Sequence, residues 1–199
     1  MSQPSPRFKS RVTVPFRELS FSPYSKVAAL DGFHSGSGDL DEFLKTEQVQ
    51  KYADQGYGQT TLVWRDRELA AYYTFGYGEI SAEQLQKGWK RVKASPLPAY
   101  FIEENVPAAK IGRLAVDRGH QGKGIGRTLV ARILNDVMNG PYVPPVMVTR
   151  ANPGSIEFWQ KCGFSPVVGS PKGKTSGSMT LFFLIGTLHE PDIRVAVDI

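Results

Sequence analysis

Three glycines in five residues, Gly122, Gly124 and Gly126, stand between a short apolar run and the longest stretch of helical apolar spacing in the chain. This junction constrains the fold more than any other feature. Residues 110–117 read as a short strand that leads straight into Gln121-Gly122-Lys123-Gly124-Ile125-Gly126-Arg127. From Ile125 onward Leu129, Val130, Ile133, Leu134, Val137 and Met138 recur at helical spacing, and Asn139-Gly140-Pro141 supplies a stop. A glycine turn at a helix start exposes unpaired N–H groups and the positive end of the helix dipole, so the junction predicts an anion site. It is not a P-loop: Gly119 and Gly124 have the spacing, but Ile125 and Gly126 stand where Lys and Ser/Thr are required. Nor is it a dinucleotide fingerprint, because Arg127 takes the place of the third glycine after Gly122 and Gly124.

Around this junction the chain, 199 residues and 22.0 kDa, reads as one domain over 1–199, with 1–10 a loose tail and 187–199 a C-terminal extension. Residues 11–19 alternate as a first strand. Asp39 with Glu42 three residues on resembles a capping box, followed by Leu40, Phe43 and Leu44 on one buried face. Residues 59–64 and 69–77 form a hairpin through Arg65-Asp66-Arg67. Residues 81–92 read as helical, and Pro96 and Pro98 mark a connector. Val146-Met147-Val148 is a short buried strand, Asn152-Pro153 suits a helix N-cap and first position, and Gly163 stops that helix. Residues 164–168 and 180–185 are the last strands, with a Gly, Ser and Lys loop over 169–177 between them. The sum is a mixed α/β sheet. A lone Cys162, no signal pattern at the start and a longest apolar run of only 181–185 predict a cytoplasmic protein with no membrane segment.

Charge adds a direction. The net charge is +5 with a pI near 9.3, and three zones lack acids: Lys87, Lys90, Arg91 and Lys93 around Trp89; Arg118, Lys123, Arg127 and Arg132; and Lys161, Lys172 and Lys174. They read as one anion-facing surface, with a plain solvated face the alternative for 87–93.

The loop matches Gln-x-x-Gly-x-Gly. Together with Gly112-Arg113-Leu114-Ala115-Val116-Asp117 before it and Asn152-x-x-Ser155-x-x-x-Trp159-x-x-x-Gly163-Phe164 after it, this resembles the GNAT superfamily of acyl-CoA-dependent N-acyltransferases over most of residues 30–186. The resemblance implies a six- or seven-stranded mixed sheet splayed between strands 4 and 5, with acetyl-CoA in the gap. Phe33-His34-Ser35-Gly36, Leu40-Asp41-Glu42-Phe43-Leu44, the Gly58–Trp64 strand and Gly112-Arg113-Leu114-Ala115-Val116-Asp117 are similar, more narrowly, to the acetyltransferase toxins of toxin–antitoxin pairs. That likeness implies transfer to the amino group of charged tRNA, a small antitoxin partner and a homodimer. The basic zones suit such a partner, with Lys87, Lys90, Arg91, Lys93 and Arg113 as the acceptor-facing set.

Acetyl transfer to an amine needs a neutral nitrogen, stabilisation of an oxyanion and a proton for the departing thiolate. By resemblance the main chain at Leu114, Ala115 and Val116 holds the pantetheine arm and polarises the thioester. Gln121, Gly122, Gly124, Gly126 and Arg127 form the pyrophosphate loop, with Lys123, Arg127 or Arg118 side chains neutralising phosphate. Asn152 bonds the pantetheine, caps its helix, or both, and Arg113 faces the acceptor or forms an ion pair. The departure is Trp159, which stands where the family carries a tyrosine that protonates the thiolate. An indole N–H has no comparable acidity, so Trp159 reads either as a packing wall against the cofactor or as plain core. Tyr142, Tyr72, Tyr73 and Tyr77 are substitute donors that the sequence does not rank, although each also reads as a core residue with a satisfied hydroxyl. Cys162 reads as core packing, and His34, His120 and His189 lack metal-ligand spacing, so no metal is expected. Two other classes remain open here: an acetyltransferase for small-molecule or protein amines, and an acyl-CoA-binding regulatory module.

Overall fold

In the computed structural model, residues 16–26, 28–85, 105–167 and 177–185 are described. Strands β1 (Ser20–Pro23), β2 (Gln59–Arg65), β3 (Glu68–Ser81), β4 (Asn105–Val116), β5 (Val146–Ala151), β6 (Ser165–Pro166) and β7 (Met179–Leu184) form one sheet in the order β1-β2-β3-β4-β5-β7-β6. Only β4 and β5 pair in parallel; the other neighbours are antiparallel. Helices α1 (Gly38–Lys45) and α2 (Gln48–Asp54) precede β2, α3 (Ile125–Met138) joins β4 to β5, and α4 (Ile156–Lys161) follows β5. Among the described residues no helix is long and apolar enough to cross a membrane.

Strand alternation divides the core. Ala71 and Tyr73 of β3 and Ile111 of β4 pack with Leu129, Ile133, Trp159 and Phe183, whereas Tyr72 of β3 packs with Phe33, Phe43 and Leu44. Eight residues of α3 are buried, so this helix is held by its apolar face, each large side chain contributing about 1.5–3 kcal/mol. The β2–β3 turn places Asp66 and Arg67 at φ 52° and 67°, the left-handed pair that a two-residue hairpin requires.

Three local expectations change. Of the strand expected over 11–19, Phe16–Glu18 instead form a 3-10 turn that folds Phe16 onto Phe21, ring centroids 5.1 Å apart; the first described strand is Ser20–Pro23, and 11–15 lie outside the described residues. The capping box is absent. Ser37 is the N-cap of α1 with no side-chain cap bond, because the loop's hydrogen bonding is organised on Asp41, which accepts from Ser35 N (2.8 Å) and Ser35 Oγ (2.6 Å). Of the strand expected over 164–168, Ser165–Pro166 is strand and Val167 N still donates to the Thr180 carbonyl at 2.9 Å, while 168 lies outside the described residues. The helix expected over 81–92 begins as a helical stretch at 82–85; its remainder, the connector at Pro96 and Pro98, the tail 1–10, the extension 187–199 and most of loop 169–177 lie outside the described residues.

Two irregularities in β4 create the site. The register with β3 steps from Thr74↔Arg113 to Phe75↔Ile111, which leaves Gly112 as an extra residue, a bulge that bends the strand. Pairing with β5 runs from Ala108↔Val146 to Ile111↔Thr149 and then stops, with Thr149 Oγ1 donating to the Ile111 carbonyl at 3.0 Å at the last pair. Beyond that point residues 112–116 part from β5. The expected splay between strands 4 and 5 is present.

Candidate active site

One wall of the opening is the start of α3. Gly122 and Gly124 hold φ 76° and 89°, a left-handed geometry that costs glycine nothing. Gly124 is the N-cap, and its carbonyl accepts from Arg127 N (3.0 Å) and Thr128 N (3.1 Å). The first-turn amides, which have no helical partner, border a cavity of about 550 Å³ lined by His120, Gln121, Gly122, Gly124, Gly126, Arg127, Glu157, Phe158 and Lys161 among others. A Cβ on Gly126 would stand 3.1 Å from the Phe158 ring, so glycine there lets α3 and α4 approach. Arg127 borders this cavity. Lys161 does too, paired with Glu157 one turn earlier, and that pairing lowers the Glu157 carboxyl pKa.

The other cations of the loop point elsewhere. Lys123 Nζ donates to the Gly119 carbonyl at 2.7 Å. The Arg118 guanidinium lies over Gly36, where a Cβ would come within 2.8 Å of its Nε. Gln121 uses both N–H bonds of its amide on main-chain carbonyls, Ser35 at 2.7 Å and Val116 at 2.9 Å. It ties the loop to the segment entering α1.

A second cavity of about 850 Å³ shares Val116, Gln121, Gly126, Gly154 and Phe158 with the first, so the two lie side by side. It follows the free edge of β4 through Gly112, Arg113, Leu114, Ala115 and Val116. Trp159 is 5% exposed, packs edge-on to Phe158 and Phe164 at 5.1 Å each, and borders this cavity. It is core and wall at once. Asn152, also on the lining, makes no side-chain cap bond, and it is its carbonyl that accepts from Ser155 Oγ (3.1 Å). Arg113 places its guanidinium 3.7 Å from the Phe43 ring centroid and 5.1 Å from that of Tyr52, a cation–π stack rather than an ion pair.

Sequence reasoning passed over Tyr52, Lys110, Thr149, Arg150 and Phe158, all on these linings. Lys110 is two residues from Gly112 on the same strand, and alternation was its only available signal. Tyr52 lies 60 residues from Gly112 in sequence and had none. The charged lining of the larger cavity is Lys110, Arg113 and Arg150 against Asp39.

Tyr142 is not brought to the site. It borders neither cavity, is 50% exposed and meets the 49% exposed Tyr77 at 5.9 Å, so neither is a core tyrosine. Tyr72 and Tyr73 are buried as expected, Tyr72 Oη donating to the Leu40 carbonyl at 2.7 Å. Burial pushes the Cys162 thiol up to about 12 against the pull of Arg127, so it is no thiolate nucleophile. Lys87, Lys90, Arg91, Lys93, Lys172, Lys174 and His189 lie outside the described residues. Among the described residues no three His, Cys, Asp or Glu side chains gather as metal ligands.

With this geometry in place, comparisons with known proteins are specific. A tRNA-acetylating toxin of Mycobacterium tuberculosis (strain ATCC 25618 / H37Rv) is 28% identical over 98 residues, 49% of this chain and 53% of that protein. The chain thus spans about half the length of this curated relative. The solved structure of AtaT complexed with acetyl-methionyl-tRNAfMet superposes with a TM-score of 0.63 at 26% identity, covering 85% of this chain and 96% of that one. A tyrosine-to-phenylalanine mutant of AtaT bound to the C-terminus of the antitoxin AtaR gives a TM-score of 0.60 at 25% identity, covering 85% and 95%. The Acetyltransferase (GNAT) family matches residues 39–164, over half of the chain, and the protein belongs to that family.

Proposed function

We propose that this protein is an acetyl-CoA-dependent N-acetyltransferase whose acceptor is the amino group of an aminoacyl-tRNA, and that it acts in the cytoplasm as a toxin restrained by a small antitoxin. The observation that carries the reading is the adjacency of the two cavities: a glycine-lined helix start with free first-turn amides lies beside a trough along the edge of β4 that β5 leaves unpaired, and the two share lining residues. The residues fit acetyl-CoA. First-turn amides of α3 with Arg127 suit a pyrophosphate, and the free edge of β4 at 114–116 offers main-chain groups to an amide-bearing arm. The bound thioester supplies the acyl group. Preorganised N–H groups on that edge stabilise negative charge developing on its carbonyl oxygen, and Trp159 and Phe158 shield the sulfur from water.

The acceptor end is cationic, with Lys110, Arg113 and Arg150 facing one Asp39. A polyamine would be repelled there, whereas an acceptor carrying phosphates would be drawn in. The toxin relative and the tRNA-bound neighbour support the same acceptor class, and the AtaR-bound neighbour supports the antitoxin partner. The test is transfer of labelled acetyl from acetyl-CoA to a mixed pool of charged tRNAs beside a panel of small amines and peptides. Label on the aminoacyl group, lost in Gly126→Glu, is the expected result. Label only on a small amine overturns the tRNA assignment, and binding of acetyl-CoA without transfer to any acceptor overturns the enzyme reading in favour of a binding module.

A further inference from the structure

We propose that Tyr52 supplies the catalytic hydroxyl that Trp159 cannot, relaying the proton from the acceptor amine to the departing thiolate. The inference rests on the acetyl-transfer reading above.

The first observation is the steric design around Gly112. A Cβ at this position would run into Tyr52 Oη and come within 2.6 Å of Thr74 Oγ1. Gly112 is the bulged residue of β4 and the first past the last β4–β5 pair, so the absence of a side chain there admits a phenol oxygen to the throat of the splay. The ring that carries it is clamped. Phe43 meets it edge-on at 5.8 Å, Tyr57 tilts against it at 5.4 Å and the Arg113 guanidinium lies 5.1 Å from its centroid. Such an arrangement fixes a side chain from α2 against the main chain of β4 and aims it into the larger cavity.

The second observation is which hydroxyls are already committed. Tyr72 Oη donates to Leu40, Ser35 Oγ to Asp41, Thr149 Oγ1 to the Ile111 carbonyl and Ser155 Oγ to the Asn152 carbonyl. Ser178 Oγ accepts from Arg150 Nε, whereas Ser37, the N-cap residue of α1 on the same lining, makes no side-chain cap bond. Among the described residues Tyr52 Oη has no hydrogen-bond partner, although Phe43, Tyr57 and Arg113 pack against its ring. Thr74 Oγ1, buried beside the same glycine, has none either. Unspent hydroxyls in a site where a well-packed chain would satisfy them leave room for a ligand's groups.

The chemistry follows from donor and acceptor capacity. As the amine nitrogen bonds to the acyl carbon the C–S bond breaks; the nitrogen must shed a proton and the sulfur must gain one. An indole N–H only donates and cannot be reloaded in the same step. A phenol both accepts and donates, so Tyr52 Oη takes the N–H proton and passes its own to sulfur, ending the turnover unchanged. No further reactant is needed.

The test is Tyr52→Phe, which keeps the ring stack and removes only the oxygen, assayed with the acceptor that the wild-type protein is found to acetylate. The expected result is a fall in kcat of about 100-fold with acetyl-CoA affinity, measured by calorimetry, within twofold of wild type. Adding Trp159→Tyr to this variant is expected to recover at least about tenfold of the loss. A Tyr52→Phe protein with wild-type kcat overturns the assignment, and so does one that loses acetyl-CoA affinity in step with activity, which marks a packing residue. A wild-type protein that binds acetyl-CoA but acetylates nothing instead overturns the transfer reading itself, so the two failures are separable.

Discussion

At the scale of single residues, the site depends on one missing side chain. Gly112→Ala places a methyl where Tyr52 Oη and Thr74 Oγ1 already stand, and overpacking of this kind costs about 1–3 kcal/mol. A lower urea midpoint is the expected outcome, together with a loss of activity because the Tyr52 ring must retreat. Arg113→Met tests the neighbouring stack. Removing a guanidinium 3.7 Å above the Phe43 ring is expected to lower stability by about 0.5–2 kcal/mol, read from the same denaturation curve. The motif Gly112-Arg113 was legible in the sequence; its reasons were not. Both residues answer to aromatic partners on α1 and α2, more than 50 residues away in the chain, and one sequence carries no sign of who meets whom across a fold. Ion pair or acceptor contact were the natural readings of Arg113, since charge is visible in a sequence and a stacked ring is not.

At the scale of elements, the loop before α3 is braced by the segment entering α1. Gln121 donates to the Ser35 and Val116 carbonyls, His34 N donates to Asp117 Oδ2 at 2.9 Å, and Arg118 N donates to the His34 carbonyl at 2.8 Å. Gln121→Leu removes two of these bonds, each worth about 1 kcal/mol net. A several-fold rise in the acetyl-CoA KM with kcat nearly unchanged is the expected signature, because the loop that shapes the anion cavity loses its brace and the chemistry does not. The same brace carries a pH dependence. Burial pushes the Asp41 carboxyl pKa up, but the Ser35 side-chain and main-chain hydrogen bonds, with the His34 and Lys45 charges, outweigh it and hold the value below the usual 3.8. A depressed folded-state value contributes stability above the unfolded value of 3.8, lost as pH falls through the folded one. Urea midpoints of wild type should therefore drop more steeply than those of Asp41→Asn on acidification below 3.8. The sequence placed α1 and α3 correctly and named Gln121 as part of the loop. It assigned Asp39 a cap because spacing suggests caps, whereas Asp41 organises the turn through Ser35.

Across the whole molecule, legibility followed locality. The β2–β3 hairpin, α3 and β5 were readable because each is specified by its own turn residues and apolar period, and the splay was readable only through a resemblance, since no local signal marks where two strands part. The short β6 and the late start of β1 were not readable, because edge strands are defined by their partners: Ser20↔Trp64 fixes one and Ser165↔Phe182 the other. The splay makes a prediction at this scale. Residues 112–116 lie on β4 with β3 on one side and, among the described residues, no strand on the other, so the amides on the open side depend for protection on what fills the gap. Ligand at about 100 times its Kd adds about 2.7 kcal/mol to the folded state, and that gain must be localised where contacts form. Hydrogen exchange is therefore expected to slow on addition of acetyl-CoA at 112–116 and in the first turn of α3, while β1 and β2 keep their rates. Uniform slowing across the sheet would mean that the ligand stabilises the fold globally without occupying the splay, and slowing confined to α3 would mean that only its phosphate end is held.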